Sequence, residues 1–215
     1  MKILAIDGAF GAFTCAVSIN GTVIAHERVS SGATLERGLE SVNHALLTAQ
    51  TTGRDLDRIA VCTGPGSFTG SRIAISFAKS LAFAWRKPLI AIGAFDLLER
   101  GVSDIPRAAI VCAREGVVST RLTTAASTAT RSGPASSVCE WMSACSPDER
   151  LTTIDAPKDV LAALGERGKL VHNLPPPAPA LALAELAQTR EPVRSLHEVR
   201  PDYGDIPPAR APAAQ

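Results

Sequence analysis

Aromatic side chains are scarce in this chain. They make up 4% of 215 residues, with two Trp and a single Tyr, against 46% hydrophobic residues overall. A core built from it therefore rests on Ala, Leu, Ile and Val. Basic runs are absent too, and the formal net charge is only +1. A protein that grips RNA by itself gathers a basic patch, whereas scattered arginines solvate a surface. Strong direct RNA binding is not expected, although folding can still gather such a patch. The five cysteines (Cys15, Cys62, Cys112, Cys139, Cys145) are odd in number and lack C-x-x-C spacing. Three lie in apolar runs and read as buried thiols. Histidines number four (His26, His44, His172, His197), and none forms the H-x-x-x-H pair that a helix-borne metal site needs. No G-x-S-x-G elbow supports a serine nucleophile, and Cys62 lacks a flanking positive charge. Asp7 breaks the apolar run after Lys2 too early for a signal peptide, and no stretch is long enough to span a membrane. A cytoplasmic location is expected.

What is present is organised around Gly64-Pro65-Gly66-Ser67-Phe68-Thr69-Gly70-Ser71-Arg72. This stretch follows the apolar run Ile59–Cys62 and precedes a long apolar helix starting near Phe68. A strand, a glycine-rich turn and a helix N-terminus in that order can present backbone N–H groups to an anion. The same pattern also serves as a tight connection that binds nothing. Gly64, Gly66 and Gly70 allow close backbone approach, Pro65 stiffens the turn, and Ser67 or Thr69 can cap the helix. The stretch is neither a Walker loop nor a dinucleotide fingerprint, since neither Gly-Lys-Ser/Thr nor G-x-G-x-x-G is present.

Before the turn, residues 2–7 read as a buried strand ending on Asp7, followed by alternating strands over 13–19 and 22–29. Asn20-Gly21 joins the latter two as a hairpin. Residues 34–49 carry Leu35, Leu39, Val42 and Leu46 on one helical stripe, capped by Ser30, Ser31 or Thr34. Gly38 weakens that helix by about 1 kcal/mol and admits the close approach of another element. The helix predicted over 68–85 is apolar across more than half its circumference, and Ala74, Ala78 and Ala82 form a small-residue ridge. Such a helix is either sandwiched in its own domain or shared with another subunit.

A strand at 88–92 and a helix at 94–100 follow. A lobe boundary falls at 101–106, and strands at 108–113 and 117–123 turn at Arg114-Glu115-Gly116. Residues 123–137 read as a loop or weak hairpin, with Trp141 beyond it as a packing anchor. A βαβ-like unit covers 151–154, 157–164 and 169–172. A proline stretch spans 174–179 before a helix at 180–189.

The turn is similar to the GPGSFTG-L-R-I signature of the TsaB (YeaZ) family, glycoprotease-like proteins of tRNA threonylcarbamoyladenosine (t6A) biosynthesis. Ser71 alone departs, standing where the family has Leu. The resemblance is strong over about the first hundred residues and thin afterwards. Gly8 stands where the family has Thr, only Glu36 remains of a His-Ser-Glu triplet, Cys112 and Ser119 replace an Asp and a Tyr, and a C-terminal Tyr-Leu-Arg is missing near Tyr203-Gly204.

The resemblance implies an α/β chain of actin-like ATPase (ASKHA, ribonuclease H-like) fold, with two small lobes of mixed sheets flanked by helices. The lobes are placed at 1–102 and 103–200, with 201–215 a disordered tail. It also places Asp7 where relatives hold metal and phosphate, although a strand-end carboxylate capping a turn is the plainer reading. Function by this resemblance is that of a non-catalytic subunit pairing with the TsaD transferase and the ATPase TsaE. ATP and Mg²⁺ belong to the assembled complex alone, and tRNA is reached only through it. The helices at 34–49 and 68–85 become the subunit interface, through Leu35, Leu39, Val42 and Leu46 on the first and Ala74, Ala78, Leu81 and Ala82 on the second. The second half has no glycine loop of its own for a kinase-like site. Two rivals stay open: a glycoprotease-like hydrolase or nucleotide-binding ATPase using Asp7 and the 64–70 turn, and a diverged homologue that forms only homodimers.

Overall fold

The computed structural model describes residues 1–101, 107–114, 117–145, 150–153, 162, 171–173 and 178–204. Strands β1 (Lys2–Asp7), β2 (Phe13–Ile19) and β3 (Thr22–Val29) form an antiparallel meander. Its hairpin turns on Asn20 and Gly21, both at positive φ (51 and 84), as Asn-Gly allows. After helix α1 (Thr34–Thr48), strands β4 (Arg58–Cys62) and β5 (Leu89–Ile92) add to β1 in parallel, with helix α2 (Phe68–Trp85) between them. The sheet order is β3-β2-β1-β4-β5.

The second sheet repeats that plan. Strands β6 (Arg107–Arg114), β7 (Val117–Thr123) and β8 (Thr128–Pro134) run antiparallel, then helix α4 (Ala135–Cys145) precedes β9 (Arg150–Thr153) and β10 (Val171–Asn173). Read from β8, the order is β8-β7-β6-β9-β10, the same succession as in the first sheet. The mixed sheets flanked by helices give the actin-like α/β fold that the resemblance implies. The short helix α3 (Ala94–Leu98) links the halves, and helix α5 (Ala178–Leu186) returns to pack on β1, β2 and β4.

Alternation along β1 explains the layering. Leu4 and Ile6 face a core shared with α1 and α2, while Ile3 and Ala5 face one shared with α3 and α5. A third core beneath α4 holds Ala108, Ile110, Val118, Leu122, Val138 and Met142.

Several elements differ from the sequence reading. The cap of α1 is Ala33, with no side-chain bond, because Ser31–Ala33 winds as a 3₁₀ turn and leaves no serine in the cap position. Of the loop or weak hairpin read at 123–137, the hairpin is present, since β8 pairs antiparallel with β7, but the stretch also holds the start of helix α4. β8 is exposed on both faces, so no alternation announces it. Helix α5 begins at Ala178 and takes Pro179 into its first turn, where a missing N–H costs nothing. The boundary stretch 102–106, most of the helix expected at 157–164, and residues 174–177 and 205–215 lie outside the described residues.

Candidate functional site: the glycine turn and the faces around it

The turn's glycines are filled by the chain itself. Gly64 sits at φ 97, and a Cβ there would lie 2.5 Å from the Asp202 carbonyl oxygen. A Cβ on Gly66 would strike the Ala9 carbonyl, and those of Gly8 and Gly70 would strike each other's backbone. Hydrogen bonds hold these approaches. The Ser67 amide donates to Ala9 O at 2.8 Å, Ala94 N to Gly64 O at 2.6 Å, and Asp202 N to Thr63 O at 2.7 Å. Ser67, of the two candidates, is the cap of α2, and its Oγ accepts from the Gly70 amide at 3.2 Å. Pro65 is buried beneath this knot on a cis Gly64–Pro65 bond, and Thr69 is exposed. Ser71 is buried with its hydroxyl unpartnered.

Asp7 lies under the same turn at 0% exposure. Its Oδ1 accepts from the Ala9 amide at 3.1 Å, while Oδ2 has no hydrogen-bond partner. Burial pushes its carboxyl up to about 6, and burial with the neighbouring Asp7 charge pushes the Cys62 thiol well above its ordinary value. The turn-capping role read for Asp7 matches this geometry. Among the described residues no three or more His, Cys, Asp or Glu side chains gather to hold a metal. So arranged, the turn does not fit a nucleotide phosphate with its cation: the space is taken by backbone, and the carboxylate is sealed from solvent.

Two aromatic rings mark the outer side. Phe68 is exposed, lies 4.8 Å centroid to centroid from Tyr203, and carries the Arg72 guanidinium 5.1 Å above its ring. Sequence reasoning assigned Tyr203 to a disordered tail. Instead residues 199–204 run as a strap along the turn, with Lys79 Nζ donating to Val199 O at 3.3 Å and Gly204 seated against Ser119 and Ser132 of the second sheet. The lone Tyr and the Gly after it were the only signals.

The eight residues assigned to a subunit interface separate in space. Val42, Leu46, Ala74, Ala78 and Ala82 are buried in the chain's own core, which removes them from any partner-facing surface, and Leu81 is half-buried against it. Burial takes up one stripe of α2, Ser71, Ala74, Ile75, Ala78 and Ala82, while Phe68 and Phe83 of the same helix are 55% and 78% exposed. Leu35 and Leu39 are 66% and 47% exposed, and Leu47, two turns further on, is 65% exposed. Gly38 faces inward, as expected of a close approach: a Cβ there would lie 2.7 Å from the Phe77 ring of α2.

Residues 28–120 match a family model described as TsaD, tRNA N6-adenosine threonylcarbamoyltransferase. Over 101 residues the chain is 38% identical to the tRNA threonylcarbamoyladenosine biosynthesis protein TsaB of Escherichia coli K12, covering 47% of this chain and 44% of that protein. A protein of Pseudomonas aeruginosa described as similar to peptidase YEAZ superposes with TM-score 0.71 at 25% identity, covering 94% of this chain and 98% of that one. The chain is thus similar to TsaB (YeaZ) proteins in sequence over 101 residues and in fold along 94% of its length. A threonylcarbamoyltransferase of Clostridium kluyveri is 28% identical over 109 residues, 32% of its length, so the matches to curated relatives span less than half of those proteins. A dehydratase activator of Clostridium difficile, solved with bound ADPNP, shares the fold at TM-score 0.54 and 11% identity.

Proposed function

We propose that this chain is a TsaB-type protein, a non-catalytic subunit that pairs with a TsaD-type transferase in the t6A modification of tRNA. The observation that carries the reading is the exposure of Leu35, Leu39 and Leu47 on α1, within the stretch that matches the TsaD family model. Three large apolar side chains exposed on the outer side of one helix leave a surface that a partner helix can cover. In this reading a TsaE-type ATPase joins the pair in the cytoplasm, ATP and Mg²⁺ act only in the assembled complex, and the two lobes divide near residue 102.

The test is co-purification with the transferase of the same organism, with light scattering to read stoichiometry. A one-to-one complex that Leu35→Asp with Leu39→Asp abolishes, while the variant melts like the native chain, is the expected result. A homodimer alone, with no heterocomplex under any nucleotide condition, overturns the reading.

A further inference from the structure

A groove of about 700 Å³ opens where α2 ends, away from the glycine turn. Its floor is apolar: Leu89 and Ala82 belong to the core, and Val193 and Leu196 pack against it. Arg86, Lys87 and Arg194 line it, and no carboxylate does. None of the three forms an ion pair among the described residues, although Asp55 lies within electrostatic reach of Lys87. Phe83 stands at the lip, 78% exposed.

Rigid elements fix this arrangement. Arg86 occupies the left-handed cap of α2 at φ 54, with its amide on Phe83 O at 3.3 Å, and the Lys87 amide bonds Ala82 O at 2.9 Å. A left-handed position favours glycine, so an arginine there keeps its guanidinium at some conformational cost. Arg194 arrives from the far end of the sequence, held alongside because the Val193 amide donates to Leu89 O at 2.9 Å. Folding has thus gathered cations that are scattered in the sequence.

We infer that this groove is a phosphate-binding contact for single-stranded RNA, with Arg86, Lys87 and Arg194 on the backbone and Phe83 offering a ring to an unstacked base. Cations beside an exposed aromatic are the combination that single strands use, since every base has a π-face and every linkage a negative charge. The volume falls within the range of small-ligand sites, room for a nucleotide or two. The choice of RNA over an acidic protein segment rests on the proposed role in tRNA modification.

Fluorescence anisotropy of the full chain with a labelled, unmodified tRNA transcript tests it. The inference expects salt-sensitive binding, with a log–log slope of about −2 for three contacts. The triple variant Arg86→Gly, Lys87→Gln, Arg194→Gln is expected to lose about tenfold in affinity at low salt and most of the slope. Arg86→Gly suits the left-handed cap, and a thermal melt checks that the variant folds. Arg28→Gln with Arg37→Gln, on β3 and α1 and outside the groove lining, is expected to bind as the native chain does. Native-like binding by the triple variant overturns the site, as does a poly-glutamate peptide that displaces the transcript and binds tighter. A transferase complex that forms while the isolated chain shows no salt-sensitive RNA binding removes this inference alone. Groove-dependent binding without any transferase complex keeps it and removes the scaffold role.

Discussion

Gly8 and Gly70 pack backbone against backbone, each placed so that a Cβ on it would run into the other's carbonyl oxygen. The first residue after β1 and the first turn of α2 therefore define one another. Gly70→Ala is expected to destabilise the fold by about 1–3 kcal/mol through overpacking, and Gly8→Ala by a similar amount. Combined in one chain they should cost less than the sum, since both act on the same contact. Urea unfolding of the two single variants and the double variant checks this. Full additivity would show that the two glycines do not share the contact.

Ala78 and Leu39 were both assigned to a partner-facing surface, and the structure makes opposite predictions for them. Ala78 is fully buried between α2 and the sheet, so Ala78→Arg forces an unpaired guanidinium into an apolar layer. It is expected to abolish folding, seen as loss of a cooperative melt. Leu39→Asp sits on exposed surface and is expected to shift stability by less than about 1 kcal/mol. A cooperative, native-like melt for Ala78→Arg would contradict the burial of this face of α2.

The buried Asp7 makes stability fall as pH rises. Its folded-state carboxyl titrates near 6 against an ordinary 3.8, so between those values the folded chain holds the proton more tightly than the unfolded one. The contribution is fully present below the unfolded value and is lost as pH climbs through about 6. Above that, the ionised buried group costs on the order of 2–3 kcal/mol. Asp7→Asn keeps an oxygen for the Ala9 amide and cannot ionise. Its stability relative to the native chain is expected to be greater at pH 8 than at pH 4, measured by urea midpoints. A difference independent of pH would mean that Asp7 is not the group responsible.

Legibility in the sequence followed local periodicity. The bounds of β1, β2, β3 and α2 were readable because the strands are bracketed by turn residues and α2 by a serine cap. The α1 leucines misled, since its inward face is built of Thr34, Gly38 and Ser41 beside Val42, Ala45 and Leu46. Small and polar residues admit Phe77 there, so the leucine stripe was not the buried face. Helix α4 carried a signal that went unread: Ala135, Val138, Cys139 and Met142 are buried at helical spacing. The strap over 199–204 had almost none, because backbone bonds and one aromatic contact hold it. The basic groove could not be read at all. Arg194 meets Arg86 and Lys87 only through the tertiary pairing of residues 89 and 193.

Arg121 on β7 joins the two halves, with its Nε donating to Glu99 Oε1 at 3.0 Å and its Nη2 to Glu99 Oε2 at 3.0 Å and Asp96 Oδ1 at 2.8 Å. Arg107 adds a bond to Glu99 at 3.3 Å and Arg190 one to Asp96 at 3.2 Å. Glu99 is only 11% exposed at its side chain, so its charge depends on these partners rather than on water. Removing Arg121 leaves it with Arg107 alone, and Arg121→Ala is expected to cost about 3 kcal/mol. Arg121→Lys should recover less than half of that, because an ammonium cannot bridge two carboxylates with a planar fork. The guanidinium also lies 5.1 Å above the Phe95 ring, a contact that truncation removes as well. Calorimetry of Arg121→Ala and Arg121→Lys decides the point. The cluster is an inter-lobe tie if both melt earlier with Lys intermediate, and merely a surface network if neither moves.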